Sequence, residues 1–440
     1  MNRLSSIAAE AGKHVTPSPS EIANMGALAR VLLSKTRKAA RRFPETRGVL
    51  LGGSFAKGTW LRGNVDLDIF VKIDPSVTDE DFERIGLEVG ALATRGYPRG
   101  KKFAQHPYTE ATVEGVRVNI VPCYAVKKGQ WKSAADRSPF HVEVVKNFRE
   151  SMKTHVRLLK SFMSGVGVYG AEIQRRGFSG YVAEVLVMKQ KNLEGVLRWF
   201  ANYKPSREDR IFTLPDPVDD SRDLGTAVSG ESLGKMVLAA REFLRRPELA
   251  FFRRMSGRAH PGMSGSVVAV VFSHRWLSED TLWGELRKTT KHVVRHIEIH
   301  GFRVARSMAA SNNSERSAIL IIPEIRELPP IEQRVGPTVD RRKDVEAFIR
   351  SNAKESKLVW VDEDARVRLL RRRRHTRLFE LLNDVAKGRS GPAGTSRELQ
   401  AGMKKSASVL HGESLTRTAS KERWLQNGIR EITSDAVGTR

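Results

Sequence analysis

Between Leu51 and Phe70 the chain reads LGGSFAKGTWLRGNVDLDIF, a glycine-serine turn with Asp66-Leu67-Asp68 following Ser54 after eleven residues. The apolar run Gly48-Val49-Leu50-Leu51 predicts a short buried strand, and Gly52-Gly53 lets the backbone turn with positive φ. Ser54-Phe55-Ala56-Lys57 then predicts a helical turn whose free N–H groups, hydroxyl and ammonium suit a triphosphate. From Leu61 to Val71 the pattern alternates, putting Asp66, Asp68 and Phe70 on one strand face and Val65, Leu67 and Ile69 on the other. Two carboxylates side by side repel unless a cation neutralises them, and magnesium, a hard ion using few carboxylates plus substrate phosphates, suits such a pair. Either half alone also fits a plain turn beside a solvated strand; the combination at this spacing is what points to a phosphate-handling site.

The rest of the chain fits an enzyme working on a polyanion. With 440 residues, several domains are expected, and a net charge of +26 spread along the length points to nucleic acid as partner. Single basic runs such as Lys35 to Arg42 or Arg371 to Arg374 also read as solvated faces; the whole-chain excess carries the argument. No stretch is long and apolar enough for a membrane span, and Met1 to Ser20 lacks an apolar signal core, so the reading is cytoplasmic. Cys123, the one cysteine, excludes an intramolecular disulfide and a multi-cysteine zinc site.

Thr16 to Glu21 predicts a capped helix start, with helical periodicity from Ile22 to Arg42. A helix is expected over Phe82 to Ala93 and a hairpin over Thr109 to Val121, turning near Glu114-Gly115. Helical patterns dominate from Val144 to Phe200, and a proline- and aspartate-rich connection between Tyr203 and Val228 precedes a helix through Leu233 to Leu244. Next come a strand at Ser266 to Ser273, a helix at Asp280 to His292, strands around Val294 to Met308 and at Ser317 to Ile322, and a proline-bearing crossing at Arg334 to Pro337. A helix through Val345 to Ile349, a strand at Leu358 to Val361 and a helix around Leu369 to Val385 follow. The segment from Lys387 on, rich in Gly, Ser, Lys and Arg, is expected to be a mobile extension.

Taken in order, Gly52-Gly53-Ser54, Thr59 to Gly63, Asp66-Leu67-Asp68, His106-Pro107-Tyr108, Val121 to Tyr124, Asp136 to His141, Gly167 to Glu172, Arg176 to Tyr181, Asp216-Pro217, Asp219 and Val335-Gly336-Pro337 closely resemble the archaeal, class I CCA-adding enzymes, from about Thr16 to about residue 375. The resemblance implies an α+β multi-domain fold. A polymerase-beta-like nucleotidyltransferase head with a mixed sheet (1–143) would precede a helical central domain (144–262), a ferredoxin-like α+β domain that binds tRNA (263–386) and a basic extension (387–440). It implies template-independent addition of C, C and A to tRNA from CTP and ATP, with release of pyrophosphate and two Mg2+ ions, by a chain compatible with a homodimer. Asp66, Asp68 and the position of Asn119 would be catalytic and metal-ligating, and Gly53, Ser54, Lys57, His106, Lys160, Tyr169, Asp216 and Arg222 would bind nucleotide.

Residue by residue, Lys160 also reads as a helix-face lysine, Tyr169 as a packing ring, His106 as a loop histidine and Arg222 as a surface arginine. The chain departs from the family pattern at Lys57, where arginine is frequent, and at Asn119, where the third carboxylate is expected. An amide oxygen can ligate a metal but neither neutralises charge nor accepts a proton, and Glu110 and Glu114 are the neighbouring carboxylates. Three readings follow: a CCA-adding enzyme, a poly(A)-type polymerase, and a non-catalytic RNA binder on the same scaffold.

Overall fold

In the computed structural model, which describes residues 3–204, 212–253, 261–390 and 397–434, the chain falls into two compact units divided at residues 255–256. In the first, α1 (Arg3–Val15) buries Leu4, Ala11 and Val15, and α2 (Pro19–Ala40) starts where expected. Ser18 Oγ accepts from the Glu21 amide at 3.2 Å while Glu21 returns a carboxylate to the Ser18 amide at 2.7 Å, closing a capping box.

The sheet behind the glycine turn is built from β1 (Thr46–Gly52), β2 (Asp66–Ile73), β3 (Arg99–Phe103), β4 (Pro107–Val113) and β5 (Val116–Tyr124), in the order β1-β2-β5-β4-β3. Only β2 and β5 run parallel. The β4–β5 hairpin turns at Glu114 and Gly115, with φ of 51° and 78°, the two positive values of a type I′ turn. Between β1 and β2 lies the short helix α3 (Gly53–Lys57), and α4 (Asp79–Ala93), capped by Thr78, packs with α2 on one sheet face. Leu67, Ile69, Val71, Val118 and Ile120 fill the core there. Alternation therefore leaves the other parity, Asp66, Asp68, Arg117 and Asn119, on the opposite face. Helices α5 (Ser138–Lys146), α6 (Glu150–Val166), α7 (Gly180–Gln190), α8 (Leu193–Ala201) and α9 (Gly230–Arg245) complete this unit, with Phe162, Phe178, Phe200 and Phe243 fully buried. The proline- and aspartate-rich connection is described from residue 212; residues 205–211 lie outside the described residues.

The second unit contains β6 (Val268–Ser273), α10 (Glu279–Ile299), β7 (Val304–Ser311) and β8 (Arg316–Pro323). The strand expected from Val294 is corrected: buried Thr289, Thr290, Val293 and Ile297 keep helical spacing, so α10 runs on to Ile299 and β7 begins past Gly301. An antiparallel inserted sheet of β9 (Ile331–Thr338), β10 (Ser356–Val361) and β11 (Arg366–Arg372), with α11 (Arg342–Asn352), follows. Two further expectations are corrected here. The crossing at Arg334 to Pro337 is part of β9, an edge strand that tolerates proline, and Leu369 lies in β11, where Val367 and Leu369 alternate with exposed or half-exposed neighbours.

The described residues from Lys387 on are not an unpacked extension. After α12 (Leu378–Ala386) come α13 (Arg397–Ser406), β12 (Ser408–His411), α14 (Gly412–Lys421) and α15 (Arg423–Ile432). Strand β12 pairs with β6, giving the order β12-β6-β8-β7, the ferredoxin-like arrangement with the three-stranded insertion before its last helices. One sheet face packs on α10, α12 and α13. The other, with Ala269, Val271, Ala318 and Leu320, is covered by Leu415 and Ala419 of α14 and Leu425 and Ile432 of α15. Among the described residues no helix is long and apolar enough to cross a membrane.

Candidate active site

Strand register assembles the site. Gly52 of β1 pairs with Asp68 of β2, Asp68 with Asn119 of β5, and Asn119 with Glu110 of β4, so these four stand in one row across the sheet. In the next row, Asp66 pairs with Arg117. The two glycines make room for side chains of β2. A Cβ on Gly53, whose φ is +62°, would lie 1.8 Å from Asp68 Oδ2, and one on Gly52 would lie 2.3 Å from the Phe70 ring.

Burial raises the Asp68 carboxyl above its ordinary value; the hydrogen bond from Asn119 Nδ2, at 2.9 Å, opposes that and the charge of Asp66 adds to it. Asp66 is forked by the Arg117 guanidinium at 2.9 and 2.5 Å. The Asn119 Oδ1 atom is buried with no hydrogen-bond partner. Two carboxylates, one of them desolvated, and an unpaired carbonyl oxygen form a hard-oxygen donor set that suits a divalent cation. Among the described residues no group of three His, Cys, Asp or Glu is placed to hold a metal, as the amide at 119 requires.

Lys57 and Lys160 converge on a residue that sequence reasoning passed over, Glu184 of α7. Lys57 Nζ is 2.8 Å from Glu184 Oε2. Lys160 Nζ donates to Glu184 Oε1 at 3.0 Å and to the carbonyl and hydroxyl of Thr59 at 3.1 and 3.0 Å. Burial alone would push the Glu184 carboxyl up, but Lys160 and then Lys57 outweigh it and hold it at about 2. Burial lowers Lys160. At 2% side-chain exposure, Lys160 is enclosed by these partners rather than open to a ligand. Tyr169 is packed beside it: a Cβ on Gly180 would meet the Tyr169 hydroxyl at 3.0 Å and Lys160 Cε at 3.5 Å. The signal for Glu184 was one acid inside the apolar run Val182-Ala183-Glu184-Val185-Leu186-Val187.

Asp216 gathers a second set. Its carboxylate accepts from the Tyr181 hydroxyl at 3.0 Å and the Val218 amide at 2.9 Å, and lies 3.2 Å from His141 Nε2 and 3.3 Å from Arg222. Burial would raise Asp216, but these hydrogen bonds hold it at about 2. His141, lowered by burial, stacks on Tyr181 with ring centroids 3.7 Å apart. Lys57 Nζ lies 4.8 Å from the Tyr181 ring centroid, linking the two sets. Arg222 keeps 41% of its side chain exposed. His106 joins neither set. It packs edge-on against Phe82 of α4 and sits 3.5 Å from Glu83, on the helix-covered side of the sheet.

Comparison with known proteins agrees with this arrangement. The profile of the nucleotidyltransferase domain matches residues 33–147, that of the tRNA nucleotidyltransferase second domain matches 154–253, and that of the CCA-adding enzyme C-terminal domain matches 264–412. The CCA-adding enzyme of Pyrobaculum neutrophilum is 33% identical over 400 residues, covering 87% of this chain and 94% of that protein. That of Halorubrum lacusprofundi is 31% identical over 424 residues, 88% and 91% of the two chains. That of Sulfurisphaera tokodaii is 34% identical over 337 residues, 74% and 80% of the two. The chain belongs to the CCA-adding enzyme family.

Proposed function

We propose that this protein adds C, C and A to the 3′ end of tRNA in the cytoplasm, taking nucleotides from CTP and ATP and releasing pyrophosphate. The 3′ hydroxyl attacks the α-phosphate, and the bond to pyrophosphate breaks. The observation that carries the reading is the pair of carboxylates on one strand face beside a glycine-serine turn, in a chain that matches CCA-adding enzymes over most of its length. Asp66, Asp68 and the Asn119 oxygen would hold two Mg2+ ions, which supply charge neutralisation on the triphosphate and a lower pKa for the attacking hydroxyl. Gly53 and Ser54 hold the distal phosphates through backbone N–H groups and the Ser54 hydroxyl. Lys160 and Lys57 act as positioning residues through Glu184, fixing the turn against α6 and α7, and Tyr169 packs beside Lys160. Arg222, fixed by Asp216, presents its guanidinium to the base of the incoming nucleotide. His106 supports α4 and is assigned no contact with nucleotide.

The net charge of +26 supports a polyanionic partner, which each phosphate contact strengthens through counterion release. The chain acts as a monomer or homodimer, which sedimentation would decide. The test is incorporation of labelled CTP and ATP with Mg2+ into tRNA ending before the CCA, after one C and after both. Ordered addition of C, C and A supports the reading; A added at every end would replace it with a poly(A)-type polymerase. Salt-sensitive tRNA binding without incorporation would favour a second reading, for which Asn119 speaks: a tRNA-binding member of the family with weakened chemistry.

A further inference from the structure

We infer that Arg157 of α6 is a further positioning residue for the incoming nucleotide: it clamps the end of the glycine-serine turn and sets a buried positive charge behind it that the triphosphate complements. This rests on the nucleotidyl-transfer reading above. Arg157 and Lys160 stand at i and i+3 on one face of α6 and reach consecutive carbonyls of the turn. Arg157 Nη2 donates to the Gly58 carbonyl at 2.6 Å, and Lys160 Nζ donates to the Thr59 carbonyl at 3.1 Å. Gly58, with a φ of +69°, closes α3 in the left-handed region at this point. The Thr59 amide in turn donates to the Ser54 carbonyl at 2.9 Å, so the grip of α6 is passed back to the residue assigned to the distal phosphates.

The charge around this clamp does not cancel. The side chains of Lys57, Arg157 and Lys160 are all buried, and among the described residues the only buried carboxylate bonded to any of them is Glu184. The acid partner of Arg157 is Glu150, which accepts from Nη1 at 2.7 Å with 68% of its side chain exposed, where water screens its charge. Burial lowers the Lys160 ammonium and Glu184 opposes it; the charges of Lys57 and Arg157 push it down further, as crowded cations do. Arg157 Nε is buried with no hydrogen-bond partner among the described residues, so the guanidinium is not fully satisfied by the protein. The acids on β2 are engaged elsewhere, Asp66 with Arg117 and Asp68 with Asn119. A guanidinium stays charged where a buried lysine can lose its proton, so Arg157 is the fixed part of this surplus. A nucleoside triphosphate answers it with more negative charge than a monophosphate, and the surplus therefore favours the form that can react.

Binding to the full chain tests this. Arg157→Met, Arg157→Lys and Glu150→Gln are each assayed for CTP and CMP affinity by equilibrium dialysis, for tRNA affinity and for thermal unfolding. R157M is expected to weaken CTP binding roughly tenfold and CMP binding less than about twofold, with tRNA affinity unchanged. R157K, which keeps the charge and loses the fork, is expected to stay within about threefold of the parent for CTP. E150Q removes the exposed counter-charge and keeps a hydrogen-bonding amide; it is expected to tighten CTP binding about twofold and leave CMP as it was, which decides the matter if R157M does not fold. Equal losses of CTP and CMP binding in R157M would mark plain damage to the turn and overturn the inference, as would unchanged CTP affinity in R157M. R157K falling as far as R157M, or E150Q with unchanged or weaker CTP binding, would overturn it too. A parent chain that binds CTP but adds no nucleotide to tRNA would sink the functional reading instead, and the comparison of CTP with CMP would still report on Arg157.

Discussion

Replacing Gly53 with alanine tests whether the glycine turn exists to seat Asp68. Two effects add. At a φ of +62° a side chain costs about 1–2 kcal/mol in backbone strain. The new Cβ would also stand 1.8 Å from Asp68 Oδ2, where contacts below 3.0 Å are essentially never found, so the carboxylate or the turn must move by about 1 Å. A displacement of that size between reacting groups lowers turnover by about a hundredfold. Gly115→Ala separates the terms, because Gly115 has a φ of +78° with no atom within 4 Å of its added Cβ. Thermal unfolding should show similar small losses in both variants, while single-turnover incorporation of CMP into tRNA should collapse in G53A alone. Wild-type incorporation by G53A would refute the reasoning.

Lys160→Met strips Glu184 of one of its two buried cations and should destabilise the first unit by about 3 kcal/mol in urea unfolding, with a loss under 1 kcal/mol refuting a structural role. Glu184 and Asp216, both held at about 2 from ordinary values of 4.5 and 3.8, stabilise the fold fully above about pH 4.5. That contribution is lost as pH falls towards 2, so an acid titration by circular dichroism should show cooperative unfolding of the parent there and at higher pH for Glu184→Gln. Deleting the chain from Ser408 onward removes β12 and the cover over Ala269 and Leu320, and should leave the protein aggregated or its second unit unfolded by proteolysis.

The stretch from Leu51 to Phe70 was legible because its meaning is local: alternation fixes which face Asp66 and Asp68 share, and a turn needs its glycines whatever surrounds it. The placement of Lys57 and Lys160 was not, because it depends on Glu184, more than a hundred residues beyond Lys57 and on another helix. Nor does sequence spacing tell that Arg117 reaches Asp66; only the parallel pairing of β2 with β5 does. The second unit held a signal that went unused. Strands β6 and β8 are apolar at nearly every position, without alternation, which means that both faces of their sheet are buried. One face found its helix in α10; the other needed a partner, and the sparse apolar residues Leu415, Ala419, Leu425 and Ile432 of the basic segment supply it. Average composition hid them, since four or five well-spaced side chains suffice to anchor two short helices.

The double burial of that sheet also sets a timetable for its making. Roughly 85 residues separate the end of β8 from the start of β12, about 4–17 s of ribosomal synthesis. During that interval β6 has an unpaired edge, and Ala269, Val271, Ala318 and Leu320 have no helix over them. A nascent chain with a bare apolar surface and an open strand is a target for chaperones and a hazard beside its own copies. The inserted sheet of β9, β10 and β11 is made within that window, so any slow step in its folding prolongs the exposure.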